Sequence, residues 1–154
     1  MTEKVIQIET KINSILFWIC FFITLLAIFM SLAEFFSRGA FPPSRINIFY
    51  VGILTVYSLH KEALRFLERS ASEKIQRKGE LFVYLWIIIT AILYLINFLT
   101  KNHFSYSDSG KELKGLMDIT YITIEVGGVF VLSRILKLIM VKYLYPSPKN
   151  KEQA

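Results

Sequence analysis

The amino-acid sequence predicts an all-α membrane protein, a bundle of four transmembrane helices with a short amphipathic cytoplasmic collar. One indication is composition: 54% of the 154 residues are hydrophobic, above the apolar share of about 45–50% in soluble domains. The other is clustering, because the apolar residues form four blocks, 14–36, 46–67, 80–100 and 117–141. We therefore expect residues 1–154 to form a single four-span membrane domain.

The first, third and fourth blocks are long enough to cross a bilayer as helices, since a hydrocarbon core of about 30 Å needs about 20 residues. The first span contains one polar residue over 15–30, Thr24, and the fourth contains one carboxylate over 119–132, Glu125. Ser31 and Ala33 give residues 31–33 the small-x-small pattern of a signal-peptide cleavage site. The apolar run before them is longer than in a typical signal peptide, so we interpret it as a span.

The second span is predicted to leave the membrane as an amphipathic stalk. Its apolar run, 46–59, is too short to cross alone, so the helix must use part of 60–67, where apolar residues recur at helical spacing. The collar would combine this stalk with the N-terminal segment 1–13 and the connection 68–79, which is predicted to contain a helix at about 71–78.

The connection before the fourth span is predicted to contain a second short surface helix. Residues 109–112 read Ser-Gly-Lys-Glu, which has the serine-to-glutamate spacing of a capping box. In such a box the two side chains satisfy free amide groups at a helix start.

The positive charges predict the orientation. Most of the 18 lysines and arginines lie in the cytoplasmic segments 1–13, 68–79 and 142–154 and in the stalk, and an excess of basic residues marks the cytoplasmic side. We therefore expect both termini in the cytoplasm and a multi-pass location in the plasma or inner membrane. The residues expected to contact a partner or anionic lipid are Arg65, Arg69, Arg77 and Lys78.

Each span carries a stripe of small or polar residues at helical spacing. In lipid such residues face other helices or a water-filled cavity, so we expect the stripes to point into the bundle. The stripes are Cys20, Thr24, Ala27, Ser31 and Glu34 in the first span; Thr55, Ser58, Glu62, Arg65 and Arg69 in the second; Thr90, Tyr94 and Asn97 in the third; and Asp118, Tyr121, Glu125 and Gly128 in the fourth.

Glu125 is predicted to lie about 10 Å below the outer membrane boundary. An ionised carboxylate inside hydrocarbon costs several kcal/mol unless it is paired or hydrated. Two interpretations remain open. In one, Glu125 packs as a neutral acid that hydrogen-bonds to Tyr94 or Asn97. In the other, it lies in a cavity with Glu34 and Asp118 nearby and forms a proton or cation site with Glu34 and Asn97.

A second polar layer is predicted near the inner face. Glu62 of the second span and Arg134 of the fourth fall at similar depths, roughly 20–25 Å from the outer boundary. We expect them to form an ion pair between the two spans. The alternative is that Arg134 extends to the cytoplasmic head groups.

The residues that would support other chemistry are few. With one cysteine and two histidines, the chain predicts no metal site, no cofactor and no catalytic set, and the distribution of its charge of +6 does not favour nucleic acid. No small-molecule substrate is indicated.

We expect an integral membrane protein of interaction or accessory type, not an enzyme, in contact with the lipid bilayer and with copies of itself or a larger membrane complex. The alternative is a homo-oligomeric proton or cation channel or transporter that uses Glu125.

Overall fold

Four long α-helices make up most of the residues that the structure, a computed structural model, describes: 3–41, 46–67 and 80–144. The helices are α1 (Glu3–Phe36), α2 (Ile46–Leu67), α3 (Glu80–Leu99) and α4 (Gly115–Leu144). The all-helical prediction is thereby confirmed. The predicted helix at about 71–78 and the tail beyond residue 144 lie outside the described residues.

The helix limits agree closely with the predicted spans for α2 and α3. Helix α1 differs, since it begins at Glu3 and thus incorporates the N-terminal segment that we had assigned to a separate collar. No glycine or proline interrupts residues 3–36, so nothing ends the helix between that segment and the first apolar block.

Two of the helices are long and apolar enough to cross a membrane, α3 and the part of α1 from Thr10 to Phe36. Helices α2 and α4 carry more charge. Lys61 and Glu62 stand near the end of α2, and Arg134 and Lys137 in the second half of α4. The structure supports two candidate membrane helices, and the other two spans stay a prediction.

Helices α3 and α4 run antiparallel. Along the α3–α4 contact, Thr90 meets Thr123, whereas Tyr94, one turn later in α3, meets Thr120. Helix α2 packs against both α1 and α4, and α4 packs against α3. This arrangement places the start of α4 beside the end of α1. The α1–α2 and α3–α4 connections, which are both predicted to be outer connections, meet there.

Aromatic side chains fill the centre of the core, and mostly small side chains line it on the α1 side. Trp86 of α3 is fully buried and donates its indole N–H to the Tyr50 hydroxyl of α2 at 2.9 Å. The buried residues of α1 are Phe35 and four smaller ones, Cys20, Thr24, Ala27 and Ser31. These four small side chains let α1 approach its neighbours closely.

The polar stripe of α4 points the other way. Ile119, Ile122 and Val126 are the α4 residues that enter the core, whereas Tyr121, Glu125 and Gly128 are exposed. The prediction that every stripe turns inward is therefore confirmed for α1 and wrong for α4. The reason is that β-branched residues of α4 fill the core.

The connection before α4 also differs from the prediction. Residues 109–112 form a turn, in which the Gly110 amide donates to the Ser107 carbonyl at 2.9 Å, and Tyr106 pairs with Glu112 in an isolated antiparallel bridge. Gly110 has a φ of 77°, a left-handed conformation that glycine adopts readily. The capping-box pattern here serves a turn and not a helix start.

Candidate functional site

The three residues predicted to form an ion site occupy three different environments. Asn97 is 5% exposed, and its amide donates to the Ser105 hydroxyl at 2.9 Å, so it secures the connection after α3. Glu34 is half-buried at the end of α1, and Glu125 is exposed on α4. The structure does not bring these side chains together.

The orientation of α4 explains this separation. Its α3-facing side is marked by two hydroxyl contacts, Thr123 with Thr90 at 2.6 Å and Thr120 with Tyr94 at 3.0 Å. Glu125 follows Thr123 by two residues, which is about 200° around the helix. Tyr94, which was one of the predicted hydrogen-bond partners of Glu125, is instead hydrogen-bonded to Thr120.

At the other end of the bundle, Arg134 forms its ion pair with Glu80, the first residue of α3, whereas we predicted Glu62. The antiparallel register of α3 and α4 places the start of one helix beside the second half of the other. The Arg134 guanidinium also lies over the Phe130 ring, 5.1 Å from its centroid.

Glu62 lies close to this pair in a charged inner layer. It is 4% exposed and its neighbour Lys61 is 5% exposed, and both line a small cavity of about 30 Å³ together with Ser133 and Arg134. Such a volume accommodates a water molecule. The layer joins α2, α3 and α4 through buried polar groups, which favours a structural role.

The predicted basic contacts at Arg69, Arg77 and Lys78 lie outside the described residues. Arg65 belongs to α2, but its side chain is also outside the described part of the structure. These contacts stay a prediction.

The most elaborate polar arrangement lies at the outer end, where Arg38 joins the two outer connections. Its guanidinium donates to the carbonyl oxygens of Tyr106 at 3.0 Å and His103 at 3.2 Å, and it forms an ion pair with Asp108. Arg38 itself has a φ of 51°. A non-glycine residue rarely adopts this conformation. Here it turns the chain after α1 and directs the Arg38 guanidinium toward the α3–α4 connection.

Gly39 allows the two connections to approach closely. A side chain there would place its Cβ 2.9 Å from Cδ2 of Leu113, and φ at Gly39 is 90°. The backbone conformation therefore favours glycine, and a side chain at this position would also displace the end of the Leu113 side chain.

Beside this junction is an open cavity of about 440 Å³, a volume in the range of small-molecule sites. Its inner residues are half-buried or buried: Glu34, Phe35, Phe104, Ser107, Leu113, Gly115 and Asp118. Its rim is exposed and includes Phe41, Ser109, Lys111, Glu112 and Lys114. The end of α1, the start of α4 and the connection between α3 and α4 all contribute.

The floor of this cavity is acidic and aromatic. Phe35 and Phe104 stack with their ring centroids 4.9 Å apart, and the carboxylates of Glu34 and Asp118 share the floor with them. The Glu34 carboxylate also lies against the backbone at Gly115, where the first turn of α4 favours negative charge.

Sequence analysis did not identify this cavity, although it identified Glu34 and Asp118 as stripe residues. Arg38 offered a signal, since it is a basic residue in an outer connection, where such residues are depleted. Lys111 and Lys114 offered the same signal, but only the tertiary structure places them and Glu112 at this cavity.

Among the described residues, no group of three or more histidine, cysteine, aspartate or glutamate side chains is positioned to hold a metal ion. Comparisons with protein-family models, curated proteins and solved structures find no match for this chain.

Proposed function

We propose that this chain is a four-span membrane protein that acts as an interaction or accessory subunit and uses the outward face of α4 to bind a partner transmembrane helix. The observation that carries the proposal is the position of Glu125, exposed on α4 and turned away from the core. The face is defined by Tyr121, Glu125 and Gly128, which follow one another at helical spacing.

The apolar exterior of α2 and α4 supports four spans. Ile48 of α2 is 87% exposed, and Leu138 of α4 is 69% exposed. Exposed apolar side chains occur on α1 and α3 as well, including Phe22 and Phe98. A continuous apolar exterior of this extent is suited to lipid and unfavourable in water.

The charge distribution supports four spans with both termini in the cytoplasm. With four antiparallel spans, the basic segments 1–13, 68–79 and 142–154 all fall on the cytoplasmic side. The junction of Arg38 with Asp108 is then on the outer side of the plasma or inner membrane.

In this topology Glu125 lies about 15 Å along α4 from Gly115, within the hydrocarbon. A charged side chain there costs about 3 kcal/mol in insertion measurements. A partner helix with a basic or amide side chain opposite Glu125 would offset this cost by a hydrogen bond.

The space around the neighbouring glycines suits such a partner. A Cβ added at Gly127 or Gly128 would meet no other atom within 4 Å, apart from the backbone of the helix itself. A second helix can therefore approach the α4 backbone closely on this face.

The experiment is gentle extraction of tagged variants from the native membrane, followed by native mass measurement of the complex. Glu125→Leu is expected to reduce the partner-bound fraction at least ten-fold, and Glu125→Gln to retain part of it, because an amide still forms hydrogen bonds. Val131→Leu is the control on another exposed face of α4. Equal complex formation by all variants would contradict the proposal.

A homo-oligomeric channel is the second candidate, and the same outward carboxylate favours it. In a ring of copies Glu125 would face a neighbouring chain and line a shared path. Purified protein in liposomes would then conduct protons or cations, and Glu125→Gln would abolish the flux. The accessory role predicts no flux above that of empty liposomes.

A further inference from the structure

We propose that the outer cavity binds the ammonium group of a small zwitterion, with the anionic end of that molecule at the lysine rim. This function goes beyond the helix-binding role of α4. It rests on the cavity between the end of α1, the start of α4 and the connection that precedes α4.

The floor has the chemistry that recognises an organic ammonium ion. Glu34 and Asp118 supply carboxylate acceptors, which form charge-assisted hydrogen bonds with N–H donors. Phe35 and Phe104 stack on each other and supply an apolar wall against which the methylene groups of an organic ammonium ion can pack. All four are on the inner side of the cavity and shielded from solvent to at least a moderate degree, so these interactions are stronger than at an open surface.

The rim of the cavity suits the anionic end of the zwitterion. Lys111 and Lys114 are exposed on one wall, with the hydroxyl group of Ser109 close by in the chain. These groups suit a phosphate or carboxylate. Glu112 on the same rim lowers the net positive charge there, which disfavours a simple anion and favours a ligand that carries both charges.

The geometry favours an extended organic cation over a metal ion. Glu34, Glu112 and Asp118 come from three separate segments around a cavity of about 440 Å³. In the described part of the chain no set of three such side chains is close enough to chelate a metal. An ammonium group needs only one or two carboxylates and tolerates the apolar wall.

The cavity is held open by the junction beside it. Arg38 bonds to two carbonyl groups of the α3–α4 connection, and Gly39 packs against Leu113, a cavity residue. The walls are therefore largely formed before a ligand arrives, which reduces the entropy lost on binding.

The test is calorimetric titration of the purified full-length chain with phosphoethanolamine, with ethanolamine and with inorganic phosphate. We expect phosphoethanolamine to bind most tightly, ethanolamine more weakly and phosphate weakest. Asp118→Asn should weaken ethanolamine and phosphoethanolamine at least ten-fold. The double variant Lys111→Met with Lys114→Met should weaken phosphoethanolamine several-fold and leave ethanolamine unchanged.

Two further variants keep the outcome decisive. Glu34→Gln, on the α1 side of the floor, should weaken ethanolamine several-fold even if Asp118→Asn fails to fold. Glu125→Gln, on the same helix outside the cavity, should leave all three affinities unchanged, so that a failure of the α4 interface is distinguished from a failure of this site. No binding of phosphoethanolamine at millimolar concentration, or tighter binding of phosphate than of ethanolamine, would overturn the proposal.

The same chemistry occurs in a free solute and in a lipid head group, and nanodiscs separate the two. In discs of phosphatidylglycerol alone, phosphoethanolamine should bind. If added phosphatidylethanolamine removes that binding, the lipid head group is the occupant. If binding persists, the occupant is a soluble molecule from the outer compartment.

Discussion

Helices α1 and α4 both carry a stripe of small and polar residues, but the bundle uses the two stripes in opposite ways. In α1, Ala27 is fully buried, and the buried Thr24 hydroxyl donates to the Cys20 carbonyl at 2.7 Å. In α4, Glu125 and Gly128 are exposed. The α1 stripe is packed inside the chain, whereas the α4 stripe is open to a partner outside it.

The largest expected effect comes from enlarging a small residue on each stripe. Ala27→Leu should lower the free energy of unfolding by about 1–3 kcal/mol, because it overpacks a filled core. Gly128→Leu should leave the fold of the isolated chain almost unchanged and reduce complex formation instead. Unfolding in detergent and native mass measurement separate the two. Equal destabilisation by both substitutions would remove the contrast between the helices.

The end of α1 is expected to depend on Arg38. Arg38→Gln removes the ion pair with Asp108 and weakens the bonds to the outer connection, so local opening there should become easier by about 1 kcal/mol, or about five-fold in hydrogen exchange. The Leu113 amide, which donates to the Ser105 carbonyl at 2.8 Å, reports this change. Unchanged exchange at Leu113 would show that Arg38 does not hold the connections together.

We expect an energetic coupling between the second half of α4 and the start of α3 through the ion pair of Arg134 with Glu80. A double-mutant cycle with Glu80→Gln and Arg134→Met should give a coupling of about 0.5–1 kcal/mol, modest because both side chains are partly exposed and screened. The cycle that pairs Glu62→Gln with Arg134→Met should give a smaller value. The reverse order would favour the pair that sequence analysis predicted.

The smallest expected effect is at the hydroxyl contact between α3 and α4. Thr123→Val removes the bond to Thr90 and should cost about 0.6 kcal/mol, the average for such bonds in membrane bundles. A matched Thr55→Val, whose hydroxyl donates within its own helix to the Val51 carbonyl at 2.8 Å, should cost less. Unfolding in detergent measures both, and a larger loss at Thr55 would contradict the assigned α4 orientation.

Sequence analysis predicted the helices better than their orientations. The limits of α2 agree with the predicted block, 46–67, because the helical spacing of the apolar residues in 60–67 identifies the continuation of the helix without tertiary information. Helical spacing correctly grouped Tyr121, Glu125 and Gly128 on one face. It did not show where that face points, since lipid and core are both apolar and the usual polar contrast is missing.

The remaining differences arise from contacts between distant segments. Sequence analysis did not consider Glu80 as the partner of Arg134. It compared the membrane depths of residues inside the spans, whereas Glu80 is the first residue of the third span. The outer cavity likewise depends on the α3–α4 connection, which supplies Phe104 and Leu113 beside the end of α1. Local patterns do not contain the packing that brings such residues together.

The measurement that tests the central claim most directly is site-specific photo-crosslinking in the native membrane. A photoreactive amino acid would replace Tyr121 or Gly128 on α4 and, for comparison, Phe22 or Phe29 on the exposed side of α1. Our account predicts protein adducts from the α4 positions, at the mass of a second copy or of a foreign subunit, and mainly lipid adducts from α1. Lipid adducts alone from the α4 positions would contradict it.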